Sequence, residues 1–596
     1  MEKTESINLS MDCFQRILAL LFSNFYKSLF CCFIFRNTHN FAPSYLYMES
    51  SRQPRLRVWT PLLFAAIMVL GMSLGFKLHD SLRNKRDLET VVERNDRLET
   101  IIDLINERYV DTINTNALYR DAVKGILSHL DPHTVYIPAD QVAGVNEGLQ
   151  GSFYGIGISY IVLRDTLVIT AVVPDGPASK AGIRTGDRLI KVSDTVVAGV
   201  RVPISKVVNM LRGEQKSAVH VTLKDIENGQ QKLASITRDE VPLYSVDAGI
   251  MLDRQTGYIK INRFAATTYN EFTTALKRLK KEGVRQLIID LRENPGGYLD
   301  AATNIADELL DGERPVVYTQ GVHSEKIEYK TDKNGLFEQG KLIILVDENS
   351  ASASEILAGA VQDWDRGVIM GRRTYGKGLV QEQYDLDDGS ALRLTIAHYF
   401  TPSGRSIQRS YARGREAYEE AFEERYKSGE LTGRDSVVRD DTVAFYTSKH
   451  RLVRGGGGIK PDVYVPYDSA HITPGLLAIL LSDDLQNTVV DYYLGHYSTL
   501  KQFKHATDLE KGFHGEKEIL YNYIQQLTPA ERNVAVRLLA APSSRDFLLL
   551  QIKAQLARIL FRDNGYYTIS SPGDIMIQKA LQLFNNEALY LKLIGR

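Results

Sequence analysis

Between about residues 241 and 410, strand-like apolar runs alternate with helical stretches, and that alternation limits the folds open to this chain. The runs fall at 287–291, 342–346 and 391–397, with helical patterns at 299–310 and 355–364. Such alternation argues for an α/β domain. At 596 residues the chain is too long for one ordinary domain, so further units are expected on either side.

Composition matters here mainly for what it excludes. Lys+Arg (72) and Asp+Glu (73) nearly cancel, leaving no global field to hold nucleic acid or an acidic membrane. The cysteines are Cys13, Cys31 and Cys32, so the later domains carry no disulfide, no thiol nucleophile and no Cys-ligated metal. Their stability has to come from apolar cores.

The N-terminal third is read in pieces. "WTPLLFAAIMVLGMSLGF", residues 59–76, is uncharged and close to the minimum length for one helical bilayer crossing. Arg52, Arg55 and Arg57 precede it, which places the N-terminus in the cytoplasm and everything after Lys77 outside, in the periplasm or cell envelope. No small-residue cleavage pattern follows, so an uncleaved anchor is expected. Met48 looks like a natural start, and residues 1–47 read as a non-native upstream extension. Residues 48–86 are then tail, anchor and spacer. A small helical unit follows at 87–145, carrying Leu98, Ile101, Ile102, Ile105 and Tyr109 at helical spacing and ending near "LDPHT".

From Gly151 the pattern changes to short strands around the turn-rich "PDGPASKAGIRTGD". In "YGIGI", Gly155 and Gly157 precede a strand and leave backbone N–H groups free to hold a terminal carboxylate. The strand edge beyond them can accept an extended peptide. Tyr154, Ile156, Ile158, Val208 and Leu211 are the candidate pocket residues beside it. A plain hairpin turn would also explain a lone Gly-x-Gly. The stretch 151–240, however, resembles a PDZ domain along its whole length, through "YGIGI" and "VVPDGPASKAGIRTGDRLIKV", and that domain is expected at 146–240.

A second cluster lies in "ILVDENSASASEILAGAVQDW" and "GRRTYGKGLVQEQ". Ser352 follows a buried strand and precedes an apolar-periodic helix. Helix capping alone explains it, because Ser352-x-x-Glu355 is a capping box. Lys377 adds a candidate base: a lysine whose pKa is lowered by burial or by a positive neighbour can deprotonate a serine. Its flanking glycines, Gly376 and Gly378, let the backbone approach closely, and Gln381 could hold the amine. N–H donors for an oxyanion are available at the helix start, Ala353, and in the turn of "DLRENPGG", at Gly296 or Gly297.

Several strings in order, "LDPHT", "DLRENPGG", "NSASASEILAGA", "GKGLVQ", "DGSALRLTIAHYFTPSGRSIQ" and "GIKPDV", resemble the C-terminal processing peptidases of the Ser-Lys type across about 95–466. The resemblance implies Ser352 as nucleophile, Lys377 as base and Gln381 beside it. It also implies a PDZ domain that reads polypeptide substrates with apolar tails. The protease core is expected at 241–470, with 411–454 as a charged surface insertion, and a helical C-terminal domain at 471–596. That last domain carries the stripe Leu549, Ile552, Leu556, Ile559 and is a candidate surface for homo-oligomers. His133 and His398 read as structural, since no acidic partner is marked for either. No metal or other cofactor is expected. The competing reading is a membrane-anchored PDZ binding module, or a chaperone, with an inert protease fold.

Overall fold

The computed structural model describes residues 67, 68, 70–72, 97–433, 443–468 and 473–596. Residues 1–47 and most of the anchor expected at 59–76 lie outside the described residues. Residues 67, 68 and 70–72 are helical, and among the described residues no helix is long and apolar enough to cross a membrane. The chain divides into two units, 1–112 and 113–596. In the first, residues 97–108 are helical.

The second unit opens with helix Thr115–Leu127, capped by Asn114, whose side chain accepts the Ala117 N–H at 3.1 Å. Strand Val135–Ile137 and helix Ala139–Gln150 follow. A five-stranded antiparallel sheet comes next. Its strands β1 (Ile158–Leu163), β2 (Thr166–Val172), β3 (Arg188–Val192), β4 (Ala218–Lys224) and β5 (Gln231–Thr237) lie in that order, with Thr195–Val196 as a further short strand beside β3. Helix α1 (Ile204–Leu211) closes over this sheet and buries Val207 and Leu211 in its core.

The large central sheet carries the site. Its order is β6 (Val246–Met251), β7 (Thr256–Ile261), β8 (Gln286–Asp290), β9 (Lys341–Val346), β10 (Val368–Gly371) and β13 (Val463–Tyr464). Only the β6–β7 pair is antiparallel. Helices α2 (Thr268–Lys281), α3 (Leu299–Asp307) and α4 (Ala353–Asp363) are the crossovers. A parallel sheet has to be covered on both faces, and its apolar runs divide by the two-residue period. Ile259, Leu287, Ile289, Leu342, Ile344 and Val346 pack under α2, α3 and α4. Tyr258, Ile288, Ile343 and Leu345 face the opposite way.

That opposite face is covered by the far C-terminus. Helix α8 (Ile575–Asn585) and residues 590–594 set Met576, Ile577, Ala580, Leu583, Phe584, Tyr590 and Ile594 against it. The separate domain expected at 471–596 is therefore corrected: its end is the second helical layer of the protease core. The rest of the region forms its own apolar cluster around α6 (Asp483–Gly495) and α7 (Pro542–Ser570). The stripe on α7 is spent inside the chain, with Ile552 and Leu556 fully buried and Leu549 and Ile559 packed against the cluster. Val490, Leu494 and Ile559 also meet Ile161, Leu163 and Val168 of the five-stranded sheet. Where α7 kinks at Arg562, that side chain donates to Val172 O, and Asn564 Oδ1 accepts the Gly249 N–H at 3.0 Å.

A second sheet, antiparallel throughout, lies beside the core. Strand β12 (Ala391–Phe400) pairs with β11 (Leu379–Asp385) and with Val135–Ile137 and Pro315–Gln320. Helix α5 (Arg415–Lys427) follows, and its Tyr418 OH lies 3.0 Å from His133 Nε2.

Candidate active site

Ser352 lies between β9 and α4, past the carboxyl ends of the parallel strands, where open α/β sheets form their crevices. Its backbone is held at φ 54° and ψ −115°, a left-handed conformation that a residue with a Cβ adopts only when its surroundings enforce it. A sharp strand-to-helix turn of this kind projects the side chain away from the sheet. A capping box joins Ser352 to Glu355, whose Oε2 accepts the Ser352 N–H at 2.9 Å.

The turn after β8 comes up against this serine. A Cβ placed on Gly296 would lie 2.7 Å from both Ser352 Cβ and Ala351 O, and 2.9 Å from Ala353 N. One on Gly297 would lie 2.0 Å from Phe264 O. Both glycines have positive φ, 97° and 145°, so the "NPGG" string is written by conformation and close approach together. Asn294 pins the turn. Its side chain donates to Ile261 O at 2.9 Å, and its carbonyl accepts the Ala351 N–H at 3.0 Å and Ser354 Oγ at 2.9 Å. Its Oδ1 accepts the Gly296 N–H at 2.9 Å. That contact corrects the expectation for Gly296: its N–H is already engaged and cannot serve an oxyanion. Among the described residues, the N–H groups of Gly297 and Ala353 meet no acceptor.

Lys377 arrives on the loop before β11. Its Nζ donates to Gln381 Oε1 at 2.8 Å, and Gln381 Nε2 donates to His133 O at 2.6 Å. A register shift between Val380 and Gln381 interrupts the β11–β12 pairing just there; such bulges re-aim side chains beside sites. Burial, with the Arg393 guanidinium as a like charge, holds the Lys377 amine below the ordinary lysine range, against the smaller opposing pull of Asp131 and Glu355. His133 is pushed down to about 4 by burial and then by Lys377, so its ring is neutral near pH 7. The ring meets Tyr418 OH at 3.0 Å, while its backbone carbonyl anchors Gln381. His398 lies within β12, paired with Leu379 and Gln320.

Two groups join the backbones of Ser352 and Lys377. Glu355 Oε2 accepts the N–H of both, each at 2.9 Å, and Tyr399 OH lies 3.0 Å from Ser352 O and 2.7 Å from Lys377 O. Sequence reasoning took Glu355 as a cap only and did not single out Tyr399, although that residue lies in the quoted "IAHYF".

Most described residues of 411–454 are exposed, but the segment also reaches inward. Arg425, 5% exposed, donates to Arg373 O at 2.6 Å and Thr374 O at 3.2 Å. Glu430 pairs with Arg373 at 2.8 Å and with Arg425 at 3.0 Å. The Arg409 guanidinium lies over the rings of Tyr375, at 4.8 Å, and Tyr418, at 3.9 Å. The segment thus clamps the stretch that leads to Lys377. Charge alone gave no hint of this, because these charges are paired internally.

In the five-stranded domain, β1 ends the sheet with one edge unpaired in it. Gly157 has φ 77°, and its carbonyl accepts the Val173 N–H at 2.9 Å. Tyr154 is exposed, and Gly155 ends a strand paired with Asp239–Pro242. Ile158 and Val208 are half-buried. Ile156 and Leu211 are 3% and 5% exposed and belong to the apolar cluster of this domain. Among the described residues no group of three His, Cys, Asp or Glu side chains is placed to hold a metal ion.

Residues 255–413 match peptidase family S41, and residues 168–225 match a PDZ domain. A "Probable CtpA-like serine protease" of Staphylococcus epidermidis is 34% identical over 314 residues, 52% of this chain and 62% of the relative. The one from Staphylococcus haemolyticus is 31% identical over 364 residues, 60% of this chain and 72% of the relative. A solved structure of the photosystem II D1 C-terminal processing protease is 31% identical, covering 51% of this chain and 82% of that one, with a TM-score of 0.31. The chain belongs to peptidase family S41, with the CtpA-like serine proteases. It spans 62% of the length of the S. epidermidis relative.

Proposed function

We propose that this chain is a serine endopeptidase that cleaves exported proteins near their C-termini. Ser352 Oγ attacks the scissile carbonyl while the neutral Lys377 amine takes its proton. The oxyanion accepts hydrogen bonds from the N–H groups of Ala353 and Gly297, at the positive end of α4. The protonated lysine then gives its proton to the leaving amine as the C–N bond breaks. Water, deprotonated by the same lysine, attacks the acyl-enzyme and returns the serine hydroxyl.

The observation that carries this reading is the shared anchoring of the two backbones on Glu355 Oε2 and Tyr399 OH. The lowered lysine pKa and the Gln381 contact support it. The unpaired edge of β1, beginning beside Gly157, supports capture of an apolar substrate tail by strand addition. The basic residues before 59–76 support an anchored protein whose N-terminus is cytoplasmic and whose catalytic part is outside. To test the reading, wild type and Ser352→Ala are incubated with an unfolded polypeptide ending in apolar residues, and the products are weighed by mass spectrometry. Cleavage by the wild type alone is expected. Equal cleavage by both would refute it.

A further inference from the structure

We infer that Glu355 is a positioning residue that sets the nucleophile and the base in register; this rests on the Ser352–Lys377 reading. The residue is fully buried, and it forms no ion pair with any of the described residues. Four donors converge on its carboxylate. Oε2 accepts the N–H groups of Ser352 and Lys377, each at 2.9 Å. Oε1 accepts the Gly376 N–H at 2.8 Å and Thr374 Oγ1 at 2.5 Å.

A helix cap accounts for one of those four contacts. The other three donors, Thr374, Gly376 and Lys377, belong to the loop that carries the base. Burying a carboxylate with no cation beside it is costly, and burial pushes Glu355 up to about 7. An exposed Glu or Gln at the third helical position would cap Ser352 without that cost. What burial adds is the bridge. Tyr399 completes it from the other side, sharing its hydroxyl between the carbonyls of the same two residues. The N–H groups of nucleophile and base therefore meet at one oxygen, and their carbonyls at another.

Two substitutions separate bridging from capping. In Glu355→Gln one oxygen becomes NH₂, so whichever way the amide turns, one pair of donors faces another donor. In Glu355→Asp the charge stays but the side chain is one methylene shorter. A displacement of about 1 Å at a reacting centre costs about 100-fold in rate.

The full-length wild type, Glu355→Gln, Glu355→Asp, Ser352→Ala and Lys377→Ala are assayed on a fluorogenic peptide with an apolar tail, with kcat and KM measured separately from pH 6 to 10 and folding checked by thermal melting. Both Glu355 variants are expected to lose about 100-fold in kcat with KM close to wild type. The pH midpoint of Glu355→Gln should also move down, because the carboxylate's field favours the protonated lysine. If Ser352→Ala or Lys377→Ala keeps wild-type kcat, the underlying reading fails. If those two are dead while folded Glu355 variants keep wild-type kcat and midpoint, Glu355 is only a cap and the inference is overturned. Should Glu355→Gln not fold, Glu355→Asp decides on kcat against KM. If neither folds, Glu355 is a folding residue and the inference is likewise overturned.

Discussion

The loops at the carboxyl ends of the central strands and the sheet face under α8 both lie in buried surroundings but are held by different forces. At the strand ends over α4, the structure rests on hydrogen bonds to backbone in uncommon conformations: Ser352 at φ 54°, Gly296 at φ 97°, and the donors gathered on Glu355 and Asn294. On the opposite face, α8 holds by apolar interdigitation, with Phe584 2% and Ile577 1% exposed. Directional contacts fix where atoms lie, and apolar burial fixes whether the sheet exists at all. Damage to the first should stop chemistry in a folded protein. Damage to the second should unfold a protein whose chemistry is intact.

The largest effect comes from the first region. Ser352→Ala and Lys377→Arg should each lower kcat by about 10⁶-fold, equivalent to about 8 kcal/mol, since members of such a unit fail together. Neither should change the melting temperature measurably. Arginine keeps the charge but cannot act as a base near neutral pH. In the wild type, kcat/KM should climb about tenfold per pH unit below the Lys377 ionisation. The sign follows from the neutral amine being the active form, and the midpoint should fall below the ordinary lysine value.

Next is Phe584→Ala, which opens a cavity in the C-terminal layer and should cost about 3–5 kcal/mol by denaturant unfolding, with kcat per folded molecule unchanged. A free-standing C-terminal domain would instead unfold in a separate transition and leave the core at its original midpoint. Gly296→Ala tests the boundary between the two regions. The strain of a Cβ at positive φ is about 1–3 kcal/mol, and contact with Ser352 Cβ and Ala351 O should also depress kcat. The smallest effect is expected at an ion pair that links the regions, Arg292 to Asp574 at 2.8 Å. Asp574→Asn keeps the cap on Met576 and Ile577 and removes only the charge, so a loss of about 1 kcal/mol or less is expected by the same unfolding assay.

This contrast explains what could be read from the residues. The site was legible because each of its backbone oddities demands a particular residue: Gly at 296 and 297, a serine at a strand-to-helix turn, glycines around Lys377. The strings "NPGG" and "GKG" are therefore local. The sheet's two faces were legible as apolar runs, but not what covers them, since the periodicity of α8 says that it packs and not against which surface. Glu355 was hidden by its double role, because capping Ser352 was a sufficient local explanation and the loop it also holds comes from 19 or more positions later. The inward contacts of the 411–454 segment were not legible because a pattern of charges does not distinguish solvated arginines from Arg425, which is buried against carbonyls.

The most direct test of the Ser352–Lys377 pairing is the attachment site of a fluorophosphonate, mapped by peptide mass spectrometry in wild type and in Lys377→Ala across pH 6 to 10. The account predicts one adduct, on Ser352, forming faster as pH rises in the wild type and essentially absent without Lys377. An adduct on Ser350 or Ser354, or equal labelling of Ser352 in both proteins, would contradict it.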